Sequence, residues 1–407
     1  MKFRNLIFLF TVLFSLVFGI DSVRAINFAS LQLTHNNIDD ENPQISGDII
    51  VWEGETSGNN TDIFSYDMNT TQMLLLTTNS KHDFNVRIDG NNVVWTRSPS
   101  KVGGSDDSEI LMYDISTMST TNITDDDAAD VKPSIDGDYL VWQGAFDDDP
   151  DNGCAWHILD LATPTLTQLD EDSCTWQNEA LLDVPYFLFF TDDQPWLFYD
   201  IDNEETNTAF TDSGLLPHVD DGRAVYNSGE DIFLLDFATE TSTQLTDTTE
   251  TEYDAVVSGD FVAFTVVTEP STNSMKLFTL EISTEELTLV DDAYSIYNIA
   301  IENDLLVWTS ENSLGKESMH RYSISTGVTS LVPTFRATYV DQIVVKDGEI
   351  VWVGPDKLTG DKEVFWVVAV PCCDPPLEDP GDGCPSNDTG NPLPYISFLG
   401  CPSEEAQ

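Results

Sequence analysis

Ile135-Asp-Gly-Asp-Tyr-Leu-Val-Trp142 decides how this chain is read, because the same phrase keeps returning. It is an apolar lead-in, a short Asp-Gly break, a run of apolar residues and a closing aromatic. It stands again as Ile45-Ser-Gly-Asp-Ile-Ile-Val-Trp52, Ile88-Asp-Gly-Asn-Asn-Val-Val-Trp95 and Val257-Ser-Gly-Asp-Phe-Val-Ala-Phe264. Ile301-Glu-Asn-Asp-Leu-Leu-Val-Trp308 and Val345-Lys-Asp-Gly-Glu-Ile-Val-Trp352 continue the series, and weaker copies run Leu182 to Phe190 and Val219 to Tyr226. Glycine at the break supplies the positive φ of a tight hairpin turn, and the β-branched runs on either side suit strands.

A second phrase follows the first in each of the first seven units. Examples are Asp62-Ile-Phe-Ser-Tyr-Asp-Met-Asn-Thr70, Glu109-Ile-Leu-Met-Tyr-Asp-Ile-Ser-Thr117 and Asp231-Ile-Phe-Leu-Leu-Asp-Phe-Ala-Thr239. It alternates like a strand and breaks at Asp-x-x-Thr, a turn signal. A short strand then closes near Thr77, Thr124 or Thr246. Each unit of about 40 residues therefore holds four short antiparallel strands, too small a sheet to bury its own apolar faces. The reading is all-β: an eight-bladed β-propeller of four-stranded antiparallel blades. The recurring aromatic is core between blades. Seven blades is the alternative if unit four is an insertion. The eighth unit ends with its third strand, Lys362 to Val370, while Ile26 to Thr34 looks like a fourth strand ahead of a first. The N-terminal strand is thus expected to close the ring and remove its open edges.

Three segments are expected: a signal peptide over 1–25, the propeller over 26–371, and a Cys-, Pro- and Gly-rich tail over 372–407. Lys2 and Arg4 precede an apolar run from Leu6 to Gly19, and Ala25 ends a cleavable pattern. That run is short for a membrane span. The expectation is export to the periplasm, the cell surface or the medium, with no membrane insertion once the leader is removed. There are 72 acidic residues against 16 basic ones, a formal net charge of −56. Such a surface repels nucleic acid and suits high salt, divalent cations or a cationic partner. Six cysteines fit an oxidising compartment. A hairpin turning near Pro164 would bring Cys154 and Cys174 together at its open end, a disulfide worth roughly 3 kcal/mol. The pairing of Cys372, Cys373, Cys384 and Cys401 stays open.

With the phrases Asp-Gly-Asp-x-Val-Val-Trp and Asp-Ile-Phe-x-x-Asp-x-x-Thr in hand, residues 26 to 371 resemble the TolB-like β-propellers and related bacterial and archaeal surface propellers. The resemblance implies the fold. It carries no single activity, since propellers host many. The N-terminal α/β domain of TolB has no counterpart in this sequence, which sets a Tol-system role apart.

Metalloprotease, nucleophile-elbow and phosphate-loop motifs are missing, and His35, His82, His157, His218 and His320 are scattered. The informative segments link each last strand to the next blade's first, around one mouth of the channel. They carry His82, Asp83 and Phe84; Trp176; His218; Glu252, Tyr253 and Asp254; Tyr297; and Tyr339. Rings beside carboxylates can stack on sugars or hold cations. The leading expectation is a monomeric, non-catalytic binding or scaffold propeller that holds a protein, peptide or glycan at this mouth. One alternative is a glycan-acting lyase or hydrolase with Asp83, Glu252 and Asp254 as acid and base candidates. The other is a calcium-dependent adhesion module. Asp147, Asp149 and Asp151 precede Gly153 much as in a Ca2+ loop, but the glycine falls one place late and Ile158 stands where the bidentate Glu belongs. A solvated acidic loop is the plainer reading there, and Asp125 to Asp127 are read the same way.

Overall fold

In a computed structural model the chain is described over residues 26–56, 60–99, 107–126, 128–145, 154–169, 181–190, 196–210, 217–269, 274–334 and 337–371. The expected leader, the tail with its four cysteines, Cys174, Trp176 and the Asp147–Asp151 loop lie outside the described residues. Thirty-two strands form eight antiparallel four-stranded sheets. The first strands of blades 1 to 8 are Asp40–Ser46, His82–Asp89, Asp130–Asp136, Leu181–Asp183, His218–Asp220, Thr251–Ser258, Ser295–Glu302 and Gln342–Lys346. Each packs against the first strand of the next blade around the whole ring, so these strands line the central axis. Fourth strands such as Gln72–Leu75 lie exposed at the rim.

Unit four is a full blade, built from Leu181–Asp183, Tyr186–Phe189, Trp196–Asp200 and Glu205–Phe210, which fixes the number at eight. The ring closes as the sequence implied. Ile26–Gln32 pairs antiparallel with Lys362–Pro371, from Ile26 opposite Pro371 to Gln32 opposite Phe365. The hairpin at Pro164 also forms: Cys154–Asp160 pairs with Thr165–Gln168, and Cys154 is buried at its start.

The core lies in the seams. Trp95 packs with Val93 and Leu111 of its own blade and with Val51 and Ile63 of blade 1. Trp142 meets Val94 and Ile110 of blade 2, and Trp352 meets Leu305, Val307 and Met319 of blade 7. A face that one small sheet cannot bury alone is buried by its neighbour, and each large ring contributes about 1.5–3 kcal/mol of transfer free energy.

The repeated Asp-Gly phrase has a second role, at the far end of the first strands. In blades 1 to 7 the last residue of the first strand accepts a hydrogen bond from the turn backbone of the following blade. Ser46 Oγ accepts from Gly90 N at 3.0 Å, Asp89 from Gly137 N at 3.0 Å, Asp136 from Val184 N at 2.7 Å and Asp183 from Gly222 N at 2.6 Å. Asp220 accepts from Gly259 N at 2.9 Å, Ser258 Oγ from Asn303 N at 2.9 Å, and Glu302 from Asp347 N and Gly348 N at 2.8 Å each. Asp347, inside the turn of blade 8, then accepts from Gly47 N at 2.7 Å and carries the chain of bonds across the closure into blade 1. The glycine therefore bends the hairpin, at φ 54° for Gly47 and 55° for Gly137, while the residue before it ties one blade to the next.

Candidate functional site at the channel mouth

The opposite end of the first strands is the mouth to which the linking segments run. Five first strands carry a bulge there, each with a non-glycine residue at positive φ: Asn42 (50°), Asn85 (54°), Lys132 (55°), Asp254 (52°) and Asn298 (53°). Asn and Asp tolerate this region better than most residues. A bulge re-aims the flanking side chains, and such features gather at the rims of barrels and at functional sites.

One residue before the bulge stand Phe84, Tyr253 and Tyr297 in blades 2, 6 and 7. Tyr339 lies just ahead of the first strand of blade 8. Tyr253 is 38% exposed and Tyr339 45%, while Phe84 and Tyr297 are half-buried. The Tyr297 hydroxyl donates to Glu317 Oε2 at 2.6 Å, and Glu317 Oε1 accepts from Val340 N at 2.7 Å. Burial and this carboxylate push the Tyr297 phenol up, so it stays a neutral donor. Blades 6, 7 and 8 thus hold an arc of tyrosines at the entry to their first strands, its middle member tied to the third strand of blade 7. Asp254 is exposed beside Tyr253.

The carboxylates have another destiny. Asp83 is fully buried and accepts from Trp95 Nε1 at 2.7 Å, from Asn79 Nδ2 at 2.6 Å and from Arg97 Nε at 2.8 Å. It is a latch within the seam rather than a group at the surface. Trp52 donates to Asp40 at 3.0 Å and Trp142 to Asp130 at 2.8 Å, each across 12 residues of sequence as in Trp95 and Asp83. A buried indole needs an acceptor, and the first residue of the first strand or its neighbour provides one. Glu252 takes the same place in blade 6. Its partner there is Phe264, with no N–H, so it accepts instead from the hydroxyls of Thr246 at 3.2 Å and Thr248 at 2.5 Å. It is 1% exposed, and burial pushes its pKa up. The acid-base candidates Asp83 and Glu252 are therefore both held in structural bonds.

Glycine two places after the tryptophan makes room for the latch. A Cβ on Gly144 would stand 2.6 Å from Asp130 Oδ1 and from the His157 ring, which stacks on Trp142. In blade 2 that place belongs to Arg97, whose guanidinium neutralises Asp83. Blade 3 has the reverse situation. Asp126 stands where Asn36 and Asn79 donate to Asp40 and Asp83. Glu109, Asp126 and Asp130 bring one carboxylate oxygen each within 4.8 Å of one another. Burial, with Asp126 and Glu109 nearby, pushes Asp130 up to about 7. Oxygen ligands so grouped have the hardness a divalent cation selects.

Of the other expected residues, His82 is half-buried at the start of its strand. His218 Nδ1 accepts from Val257 N of blade 6 at 3.3 Å, and burial pushes the ring down toward its neutral form. It joins blades 5 and 6. Sequence reasoning missed Asn36, Asn79, Arg97 and Glu317. The signal for the first two was present, since Leu33-Thr-His-Asn36 leads to Asp40 just as Leu76-Thr-Thr-Asn79 leads to Asp83.

No family model matches the chain, and no curated protein matches it in sequence. Solved structures do. The computationally designed Ika8 protein is similar at 15% identity and TM-score 0.52, over 82% of this chain and 98% of that one. One of two prolyl endopeptidases analysed for inter-domain dynamics is similar at 12% identity and TM-score 0.51, over 79% of this chain and 55% of that one. An oligogalacturonate lyase in complex with manganese is similar at 11% identity and TM-score 0.47, over 85% and 96%. At these identities the likeness to the first two concerns the fold alone, and the chain is an eight-bladed β-propeller.

Proposed function

We propose that this chain is an exported, TolB-like propeller that binds a protein, peptide or glycan at the channel mouth without catalysing its conversion. The observation that carries this reading is the arc of Tyr253, Tyr297 and Tyr339 on three successive blades, with two rings well exposed. Flat rings on neighbouring blades offer stacking area at little cost in conformational entropy, and Asp254 adds a polar contact beside them. The bonds that hold Asp83 and Glu252 inside the seams support a binding role over acid-base chemistry. The test is a peptide and glycan array probed with residues 26–407, repeated with Tyr253→Ala and Tyr339→Ala combined. Binding lost with an unchanged thermal melt supports the reading. A ligand still held by the double variant places recognition elsewhere.

A further inference from the structure

A second site lies away from the tyrosine arc, on blade 2. A cavity of about 420 Å³ opens between Asn79, Ser80 and Lys81 ahead of this blade, Arg97 and Glu109 of its second and third strands, and Asp125 beyond its last strand. Its volume falls within the range of about 300–1,000 Å³ typical of small-molecule sites. Lys81 and Arg97 line it together with Asp107, Glu109 and Asp125.

The chemistry of that wall is unusual for this molecule. The chain has 16 basic residues against 72 acidic ones, so almost any patch of its surface repels an anion. Here Lys81 and Arg97 line one concavity, Arg97 with its charge already paired to Asp83. Arg97 is held in place by a buried anchor, its Nε and one terminal nitrogen reaching Asp83 at 2.8 and 3.4 Å. Across the sheet, Arg97 is the register partner of Glu109. The two charges stand side by side yet each has another partner: Arg97 is bound to Asp83, and Glu109 Oε2 accepts from the Thr124 hydroxyl at 2.6 Å. Lys81 and Asp125 are exposed on the rim.

We infer that this cavity binds a small zwitterion of the amino-acid or short-peptide class, its carboxylate toward Lys81 and Arg97 and its ammonium toward Glu109, Asp107 and Asp125. A ligand carrying one charge meets a like-charged wall as well as an opposite one. A ligand carrying both satisfies both walls, and charge-assisted hydrogen bonds are the stronger kind.

The probe is alanylalanine, titrated calorimetrically into residues 26–407 at low ionic strength, beside its N-acetylated and C-amidated forms. Alanylalanine is expected to bind, and blocking either end to weaken it about tenfold or more. Lys81→Met and Asp125→Asn, whose side chains stand on the rim, are each expected to weaken it by a similar factor with the thermal melt unchanged. Tyr253→Ala with Tyr339→Ala is expected to leave it unaltered, which separates this site from the mouth. The inference is overturned if alanylalanine does not bind, if the blocked forms bind equally well, or if both rim variants bind like the parent.

Discussion

Replacing one aspartate by asparagine at equivalent places in two neighbouring blades is expected to change stability in opposite directions. Asp83 and Asp130 both accept a tryptophan indole inside a seam. Asp83 has the Arg97 guanidinium against it, whereas Asp130 has Gly144 at that place and the carboxylates of Asp126 and Glu109 close by. Burial raises Asp130 from 3.8 to about 7. Between about pH 4 and about pH 7 the folded state therefore keeps a proton that the unfolded chain has released. Stability present below about pH 4 is lost as the pH climbs through about 7. At about 1.4 kcal/mol per unit, carrying the charge costs about 4 kcal/mol above that range. Asparagine still offers Trp142 an acceptor, though a neutral one weaker by about 1–2 kcal/mol. Asp130→Asn is thus expected to stabilise the protein by about 2 kcal/mol at about pH 8, and the gain should vanish toward about pH 5. Asp83→Asn leaves Arg97 without its partner in a largely buried place and is expected to cost about 3 kcal/mol. Urea midpoints at constant ionic strength and in chelator, with unchanged slopes, read both effects. The reasoning fails if Asp130→Asn destabilises at about pH 8 as Asp83→Asn does, or if its effect is the same at both pH values.

Three further outcomes follow from other parts of the fold. Asp183→Ala removes the acceptor of Gly222 N, one link of the ring of turns, and is expected to cost about 1–3 kcal/mol in urea midpoint without altering binding at the opposite mouth. Gly354→Ala would put a Cβ 2.2 Å from the Tyr339 carbonyl oxygen. Backbone must move there, so a loss of about 1–3 kcal/mol and weaker binding through Tyr339 are expected together in a melt and a titration. With a formal net charge of −56, the melting temperature is expected to rise as salt shortens the screening length from about 10 Å at 0.1 M to about 3 Å at 1 M. A flat salt profile would mean that self-repulsion is not what limits this fold.

The sequence alone determined the blade. Turn glycines, β-branched runs and a terminal aromatic are local signals, and their return along the chain forces stacking because one small sheet cannot cover its own faces. Closure by Ile26–Gln32 was legible for the same reason: one unit lacks a strand and the other end has one to spare. The tertiary structure alone decided what the polar residues do. Asp83 and Glu252 look in sequence like neighbours of Tyr253 at a mouth, because the linear order carries no depth. Folding puts both carboxylates inside a seam and leaves Tyr253 outside. The same holds for Asp136 and Asp183, whose partners Val184 N and Gly222 N belong to the next blade. It holds also for Lys81 and Arg97, which share a cavity only because a strand leads back between them. Local pattern specifies the strand and the turn, but whether a charge meets water, an indole or another charge is set by which blade packs against it.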